Sequence, residues 1–265
     1  MILDDIVENT KDRIKHNQKS HSIEKLKEEA FQMEISNDFP FEKALRKNNL
    51  AYILELKKNC PKKGQIVSNF DFKSIAKEYE LIGADAIAVE TEPDYYKGDD
   101  DFLTEISKIV GVPVLRRDFI LDEYMVYESK IIGADAINLL AGIMDEITLM
   151  RCMNLATNLG MSSVIECHSS MQVKKALRVG AKIIAVNNID MRDYSVDLNN
   201  SLELRDLVDK DVIFIAQGGI KAREDIIKIE NKNINAVIVG EVMLTSHGKK
   251  RTLEILKGLR EDNDD

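Results

Sequence analysis

The segment GADAINLLA, residues 133–141, repeats in its first five letters the segment GADAIAVET, residues 83–91. Two weaker echoes follow, GAKII from Gly180 and NINAV from Asn233, so the four starts are spaced by 50, 47 and 53 residues. In each echo a Gly or Asn, the usual signal for the end of a helix, precedes a short apolar run that is typical of a buried strand. The echo therefore indicates a repeated junction between a helix and a strand.

Eight such apolar runs alternate with amphipathic segments in the rest of the chain. They lie at residues 51–56, 85–91, 112–117, 135–141, 162–167, 182–188, 212–217 and 235–241. Strands that alternate with helices are expected to be parallel and buried on both faces. Each interval of the echo contains two strand–helix units, which favours a (β/α)8 barrel over an open doubly wound sheet.

The first 47 residues have helical spacing and contain no convincing strand. Ile2, Ile6 and Ile14 fall near one face of a helix. We therefore predict an α/β protein in which residues 1–265 form a single (β/α)8 TIM-barrel domain, and residues 1–47 form an N-terminal helical extension of it.

Charge and composition exclude several classes of function. The chain carries 37 Lys and Arg against 46 Asp and Glu, a formal net charge of −9, which argues against nucleic-acid binding because that needs a basic surface. No apolar run approaches the ~20 residues that cross a bilayer, and the N-terminus does not have the pattern of a signal peptide, so we expect a cytoplasmic protein without membrane contact. Three cysteines and four scattered histidines lack metal-ligand spacing, and we expect no metal site.

Charged and amide side chains stand at the carboxyl ends of several predicted strands, where TIM barrels carry their active sites. Glu55 and Lys57 are two residues apart, so they share a face and are expected to pair with each other or with a ligand. Arg117 ends the third run, Glu166 lies at the end of the fifth, and Asn187 near the end of the sixth. These residues are the candidate catalytic group, and a purely structural network of charges is the alternative.

Glycines directly follow the last two strands, in the stretches QGGI and IVGE. Glycine lets backbone N–H groups approach a ligand closely, and with a following helix N-terminus it forms an anion cradle. A phosphate site after strands seven and eight recurs in TIM barrels, although each glycine taken alone is also compatible with a simple tight turn. The predicted phosphate site comprises Gly218, Gly219, Gly240, Glu241 and, as a point charge, Lys57.

Taken together, these features resemble the indole-3-glycerol phosphate synthase family. The stretches that carry the resemblance include ILELKKNCPKKG (53–64), PVLRRDFILDEYMVYESKIIGADAI (113–137), ECH (166–168) and VNNIDMRDYSVD (186–197), and it extends over nearly the whole chain. The resemblance implies ring closure of a carboxyphenylamino-deoxyribulose phosphate, followed by loss of carbon dioxide and water, without a metal or an organic cofactor. The expected partner is therefore a phosphorylated small molecule, bound by a monomer or a weak homodimer.

The resemblance also implies roles for the candidate residues. It maps a carboxylate–lysine pair onto Glu55 and Lys57, and the general base onto Glu166. It maps a substrate-positioning asparagine onto Asn187. The family's phosphate-binding glycines correspond to Gly219 and Gly240.

The chain departs from the family pattern at the end of the pocket that faces the aromatic acid. The family's general-acid lysine is Arg117 here, and arginine keeps its proton at any ordinary pH, so it can stabilise an oxyanion only electrostatically. The arginine that follows the strand-six asparagine is Ile189, Glu90 stands where the family has an apolar residue, and Gln217-Gly218 replaces a Glu-Ser pair. The phosphate end, in contrast, matches the pattern.

These departures leave three hypotheses open at the level of sequence. The first is an active synthase with an altered acid; a separate hypothesis, suggested by the gain of one arginine and the loss of another, is that Arg117 or Arg116 takes over the substrate carboxylate. The second is a diverged phosphosugar enzyme that keeps the phosphate cradle but acts on another ligand. The third is a barrel that binds a phosphorylated metabolite or a partner protein and catalyses nothing.

Overall fold

The computed structural model describes residues 2–261 of the chain. Within that range, eight parallel strands close into a barrel in chain order, and the first strand also pairs with the last. The strands are β1 (Ala51–Leu56), β2 (Ala86–Glu90), β3 (Val114–Arg117), β4 (Ala136–Leu140), β5 (Ser162–Cys167), β6 (Ile183–Asn187), β7 (Ile213–Gln217) and β8 (Ala236–Val239). The predicted (β/α)8 TIM barrel is confirmed, and every strand lies within one of the eight apolar runs.

The N-terminal extension is helical, as predicted, and its last helix covers the amino end of the barrel. Its helices are α1 (Ile2–Ser20), α2 (Ile23–Gln32) and α3 (Pro40–Leu45). Phe41 and Leu45 of α3 are fully buried in one cluster with the apolar residues that line the barrel interior. With this end covered, a ligand enters the barrel from the carboxyl ends of the strands.

The first helix of the extension packs near the carboxyl ends of the strands. Ile6, fully buried, packs against Phe119 and Leu140. Arg13 Nη2 lies 2.8 Å from the buried carboxylate of Asp118, directly after β3. The extension thus supports the loops on which the candidate site depends.

The remaining helices surround the barrel between and after the strands. They are α4 (Phe72–Leu81), α5 (Asp100–Ser107), α6 (Glu123–Ile131), α7 (Glu146–Asn158), α8 (Ser170–Arg178), α9 (Asn199–Leu204), α10 (Arg223–Asn231), α11 (Glu241–Thr245) and α12 (Lys249–Leu256). The sequence did not predict one element, a short hairpin of Asn59–Cys60 and Gly64–Gln65 in the loop after β1.

Candidate active site

A ring of polar residues lines the barrel interior at the carboxyl ends of the strands. Each strand has an apolar interior residue, and the next interior position lies two residues further along because the side-chain period of a strand is two. In the eight strands this position is held by Glu55, Glu90, Arg117, Asn138, Glu166, Asn187, Gln217 and Gly240. All the carboxyl and amide side chains of this ring are buried.

Arg117 joins carboxylates from different sides of the ring. Its Nε lies 3.0 Å from Glu55 Oε1 and its Nη2 lies 3.4 Å from Glu166 Oε2, while Nη1 donates a hydrogen bond of 3.0 Å to Gln217 Oε1. Lys57 Nζ lies 2.9 Å from the other oxygen of Glu55, which confirms the predicted pair. Burial by itself lowers the pKa of Arg117, but the surrounding carboxylates outweigh burial and raise it, so this cation holds its proton.

Glu166 is an ionised carboxylate with a fixed orientation. Asn138 Nδ2 donates to its Oε2 at 2.8 Å and Asn187 Nδ2 donates to its Oε1 at 2.9 Å. His168 Nε2 lies 3.5 Å from Oε1. Burial would raise the pKa of Glu166, but the charge of Arg117, then His168 and the two amide hydrogen bonds, lower it to about 2.

Glu90 has far fewer partners than Glu166. It is only 5% exposed, yet its Oε1 has no hydrogen-bond partner in the described structure, and its Oε2 lies 4.0 Å from Arg117 Nε. Burial raises the pKa of Glu90 well above its usual range, against the opposing charge of Arg117. A small cavity of about 40 Å³ is lined by Glu90 together with Arg117, Asn138, Glu166 and Asn187.

A larger cavity of about 640 Å³ opens beside the last two strands. The sequence-predicted site residues that line it are Glu55, Lys57, Arg117, Asn187, Gly218, Gly219, Gly240 and Glu241. Glu166 lines the small cavity instead. Arg117 and Asn187 line both cavities, so the two cavities adjoin, and each predicted site residue lines one or both of them.

Two glycines of the larger cavity are required by close approach. Gly219 has a φ of +77°, and a Cβ at this position would collide with the side chain of Val196. A Cβ on Gly240 would collide with the carboxylate of Glu55. The next residue, Glu241, pairs with Lys63 at 2.7 Å.

Of the two arginines suggested to meet the substrate carboxylate, Arg116 is excluded because it does not belong to this site, and Arg117 remains. Alternation along β3 turns Arg116 to the outer face of the barrel, where it is fully buried. Its Nη2 lies 2.8 Å from Asp100 Oδ1, 2.9 Å from Glu128 Oε2 and 3.2 Å from Asp118 Oδ2. The charge of Arg116 is therefore used to hold α5 and α6 against β3.

Neither Asn138 nor Gln217 was among the predicted catalytic or binding residues, although Gln217 was noted as a departure from the family pattern. Each is an isolated amide that ends the interior face of an otherwise apolar strand, a signal that was present in the sequence. The sequence reasoning also missed Val196, which reaches Gly219 because a bridge between Ile189 and Val196 folds the intervening loop back over the cavity. No local pattern in the sequence indicates that bridge.

The described part of the chain contains neither a metal cluster nor a helix of membrane length. Between residues 2 and 261, no group of His, Cys, Asp and Glu side chains is arranged to hold a metal ion. No helix in that range is long and apolar enough to cross a membrane.

Comparison with solved structures supports the barrel assignment. The crystal structure of 3-hexulose-6-phosphate synthase from Salmonella typhimurium superposes with a TM-score of 0.64 at 17% identity, covering 79% of this chain and 98% of that one. Thiamine phosphate pyrophosphorylase from Pyrococcus furiosus gives a TM-score of 0.57 at 16% identity, covering 79% of this chain and 94% of that one. At these identities the likeness shows a shared fold.

Comparison at the level of sequence is more specific. The family model of indole-3-glycerol phosphate synthase matches residues 3–256. The protein of that name from Ruminiclostridium cellulolyticum is 39% identical over 258 residues, 97% of this chain and 99% of its own length. The one from Endomicrobium trichonymphae is 42% identical over 257 residues, 97% of this chain and its full length. The chain belongs to the indole-3-glycerol phosphate synthase family.

Proposed function

We propose that this chain catalyses the indole-3-glycerol phosphate synthase reaction. It closes the ring of carboxyphenylamino-deoxyribulose phosphate and then releases carbon dioxide and water, which makes it a carboxy-lyase. The observation that carries the proposal is the family match from residue 3 to residue 256, together with the charged and amide groups that line two adjoining cavities at the carboxyl ends of the strands. Membership of this family favours the synthase over a phosphosugar barrel of another specificity.

The substrate phosphate is placed at the glycine end of the larger cavity. Gly218 and Gly219 follow β7 and Gly240 follows β8, and each lines this cavity with its backbone. Backbone N–H groups at glycine turns bind anions without a competing side chain. Lys57 and Lys63 line the same cavity and add positive charge.

We expect Gly219→Ala to weaken the binding of inorganic phosphate about tenfold, because the new Cβ displaces the Val196 loop from the cradle. Gly180→Ala is the matched control. Its φ of +78° imposes the same backbone strain as at Gly219, but a Cβ there meets nothing within 4 Å. Isothermal titration with phosphate should separate the two variants, and equal affinity for both would show that the anion does not contact this turn.

The ring of charges is suited to the chemistry that follows phosphate binding. Ring closure places negative charge on the ketone oxygen, and Arg117 offers a fixed positive charge to it in a water-poor site. Glu166 serves as the general base of the later dehydration, and Asn187 orients it by a hydrogen bond. Glu55 fixes Lys57 and Arg117 relative to each other through contacts of 2.9 and 3.0 Å.

Turnover can be followed directly because the indole product and the anthranilate-based substrate differ in absorption and fluorescence. We expect the purified chain to convert the substrate with a rise of indole fluorescence and the release of one carbon dioxide per product. A protein that binds inorganic phosphate but produces no indole would instead be a diverged phosphosugar barrel.

A further inference from the structure

The proposed reaction needs a proton donor, and none of the residues given a role in it above is one. When the ring carbon that carries the carboxylate attacks the ketone carbon, the C–O π pair becomes a lone pair on oxygen. That oxygen must gain a proton to become the hydroxyl group that later leaves as water. The identification of this proton donor rests on the proposed function, because only that reaction requires the proton.

Three charged groups of the site are poor donors. Arg117 retains its proton because the carboxylates around it raise its pKa. Burial lowers the pKa of Lys57, but Glu55 outweighs it and raises the pKa, so this ammonium also holds its proton. Glu166 has no proton to give near neutral pH, since its pKa is about 2.

Glu90 differs from these groups in geometry. It occupies the interior ring position of β2 and lines the small cavity beside Arg117, Glu166 and Asn187. One of its oxygens is buried without a hydrogen-bond partner, whereas both oxygens of Glu166 accept bonds from amides. A carboxyl oxygen in this situation is suited to carry a proton, because a buried and unpaired negative charge is costly.

Charge balance leads to the same assignment. The ring contains three buried carboxyl groups, Glu55, Glu90 and Glu166, and two cations, Lys57 and Arg117. Lys57 lies 2.9 Å from Glu55, and Arg117 lies 3.0 Å from Glu55 and 3.4 Å from Glu166, while Glu90 has one contact of 4.0 Å, with Arg117. The cluster is neutral when Glu90 is the protonated member.

We propose that Glu90 is the general acid of ring closure, in the place where Arg117 cannot act as one. The bond that forms joins the carboxylate-bearing ring carbon to the ketone carbon, and the ketone oxygen takes the proton of Glu90. Glu90 becomes a carboxylate. Arg117 stabilises the negative charge first on the ketone oxygen and then on Glu90. Loss of carbon dioxide then returns its bonding pair to the ring. In the dehydration Glu166 removes one proton from the intermediate and the leaving hydroxide takes that proton to become water, so the only proton that solvent must replace in each turnover is the one given by Glu90.

The pH dependence follows from the groups that face Glu90. Burial raises its pKa most, Glu55 and Asp118 raise it further, and Arg117 and Lys57 oppose them. The other titratable groups nearby are Tyr96 on the loop after β2 and Glu166 on β5. Since an acid works in its protonated form, kcat should be full below the pKa of Glu90 and fall as the pH rises through it.

The test compares Glu90→Gln with the wild-type enzyme in kcat, KM and pH profile. Glu90→Gln keeps the shape but removes the proton, so we expect kcat to fall about 100-fold with the alkaline decline of kcat abolished and KM nearly unchanged. Glu128→Gln is the control, because it removes a carboxylate beside Arg116 on the outer face of the neighbouring strand β3 and should keep the wild-type pH profile.

The outcomes are distinguishable. A wild-type chain without turnover refutes the proposed function and this assignment with it. Turnover by wild type together with an unchanged kcat in Glu90→Gln refutes the assignment alone, as does a lower kcat with an unchanged alkaline decline. Affinity for the substrate analogue with its ketone reduced to an alcohol, measured by titration, confirms that the Glu90→Gln site is folded.

Discussion

Replacing Arg117 with glutamine is expected to lower kcat about 10²–10³-fold, the range found when a donor to a developing oxyanion is removed. Arg117 is the group on which Glu55, Glu166 and Gln217 converge, at 3.0 to 3.4 Å. A neutral amide at this position offers neither the charge nor the three separate donor nitrogens with which Arg117 reaches its partners. Single-turnover fluorescence at saturating substrate measures the chemical step free of binding.

The same substitution should also destabilise the fold in a manner that depends on pH. Breaking a buried ion pair by removing one partner costs about 3–5 kcal/mol near neutral pH, because the remaining charges stay buried. Without Arg117, the pKa of Glu166 should rise above its unfolded value, because Arg117 is the largest cause that lowers it; the pKa of Glu55 rises less, because Lys57 remains beside it. The folded state then binds more protons than the unfolded state. Stability then falls as the pH rises through these raised pKa values, and the loss should be larger at about pH 8 than at about pH 5.

Urea unfolding at the two pH values tests this expectation, with Arg117→Lys as the control. Lysine keeps the positive charge beside Glu55 and Glu166, so its loss of stability should be small and nearly the same at both pH values. An equal loss for the glutamine variant at both pH values would mean that the carboxylates are not held ionised by Arg117.

The period of a strand explains why so much of the site was visible in the sequence. Glu55, Arg117, Glu166 and Asn187 each stand two residues beyond an apolar interior position, so an eightfold pattern of buried runs was enough to place them at one end of one barrel. The same rule, applied residue by residue, puts Arg116 outside the barrel and would have added Asn138 and Gln217. The alternation of side chains along a strand therefore accounts for the positions of all three residues.

Other features depend on contacts between distant parts of the chain and have no local signal. The collision that makes Gly219 necessary involves Val196, which reaches it through a loop closed by one bridge from Ile189. The protonation of Glu90 depends on how Lys57 and Arg117 are shared among three carboxylates. Neither the closure of this loop nor the distribution of the two cations among the three carboxylates can be predicted from the spacing of residues in the sequence, because both are set by packing in three dimensions.

Replacing Glu166 with glutamine is expected to lower kcat about 10³-fold, within the range for loss of a general base, with little change in KM. The site can accommodate the amide. Asn138 Oδ1 has no hydrogen-bond partner in the described structure, so a flip of the Asn138 side chain lets it accept from the new NH₂ group. The control is His168→Asn, because His168 Nε2 lies 3.5 Å from the same carboxylate. If His168 does no more than help to lower the pKa of Glu166, this substitution should lower kcat less than tenfold.

The low pKa of Glu166 also predicts how kcat and kcat/KM depend on pH. In the free enzyme Arg117 and the amides hold it at about 2, so kcat/KM should show no acidic decline from Glu166 down to about pH 4. A carboxylate with so low a pKa is a weak base. Glu166 becomes a stronger base if Arg117 moves its contact from Glu166 to the substrate oxygen. In the complex the pKa of Glu166 should therefore rise, and kcat should begin to fall at a higher pH than kcat/KM does. Coincident acidic limbs in the two profiles, or an unchanged profile in Glu166→Gln, would mean that Arg117 stays on Glu166 through the reaction and that another group removes the proton.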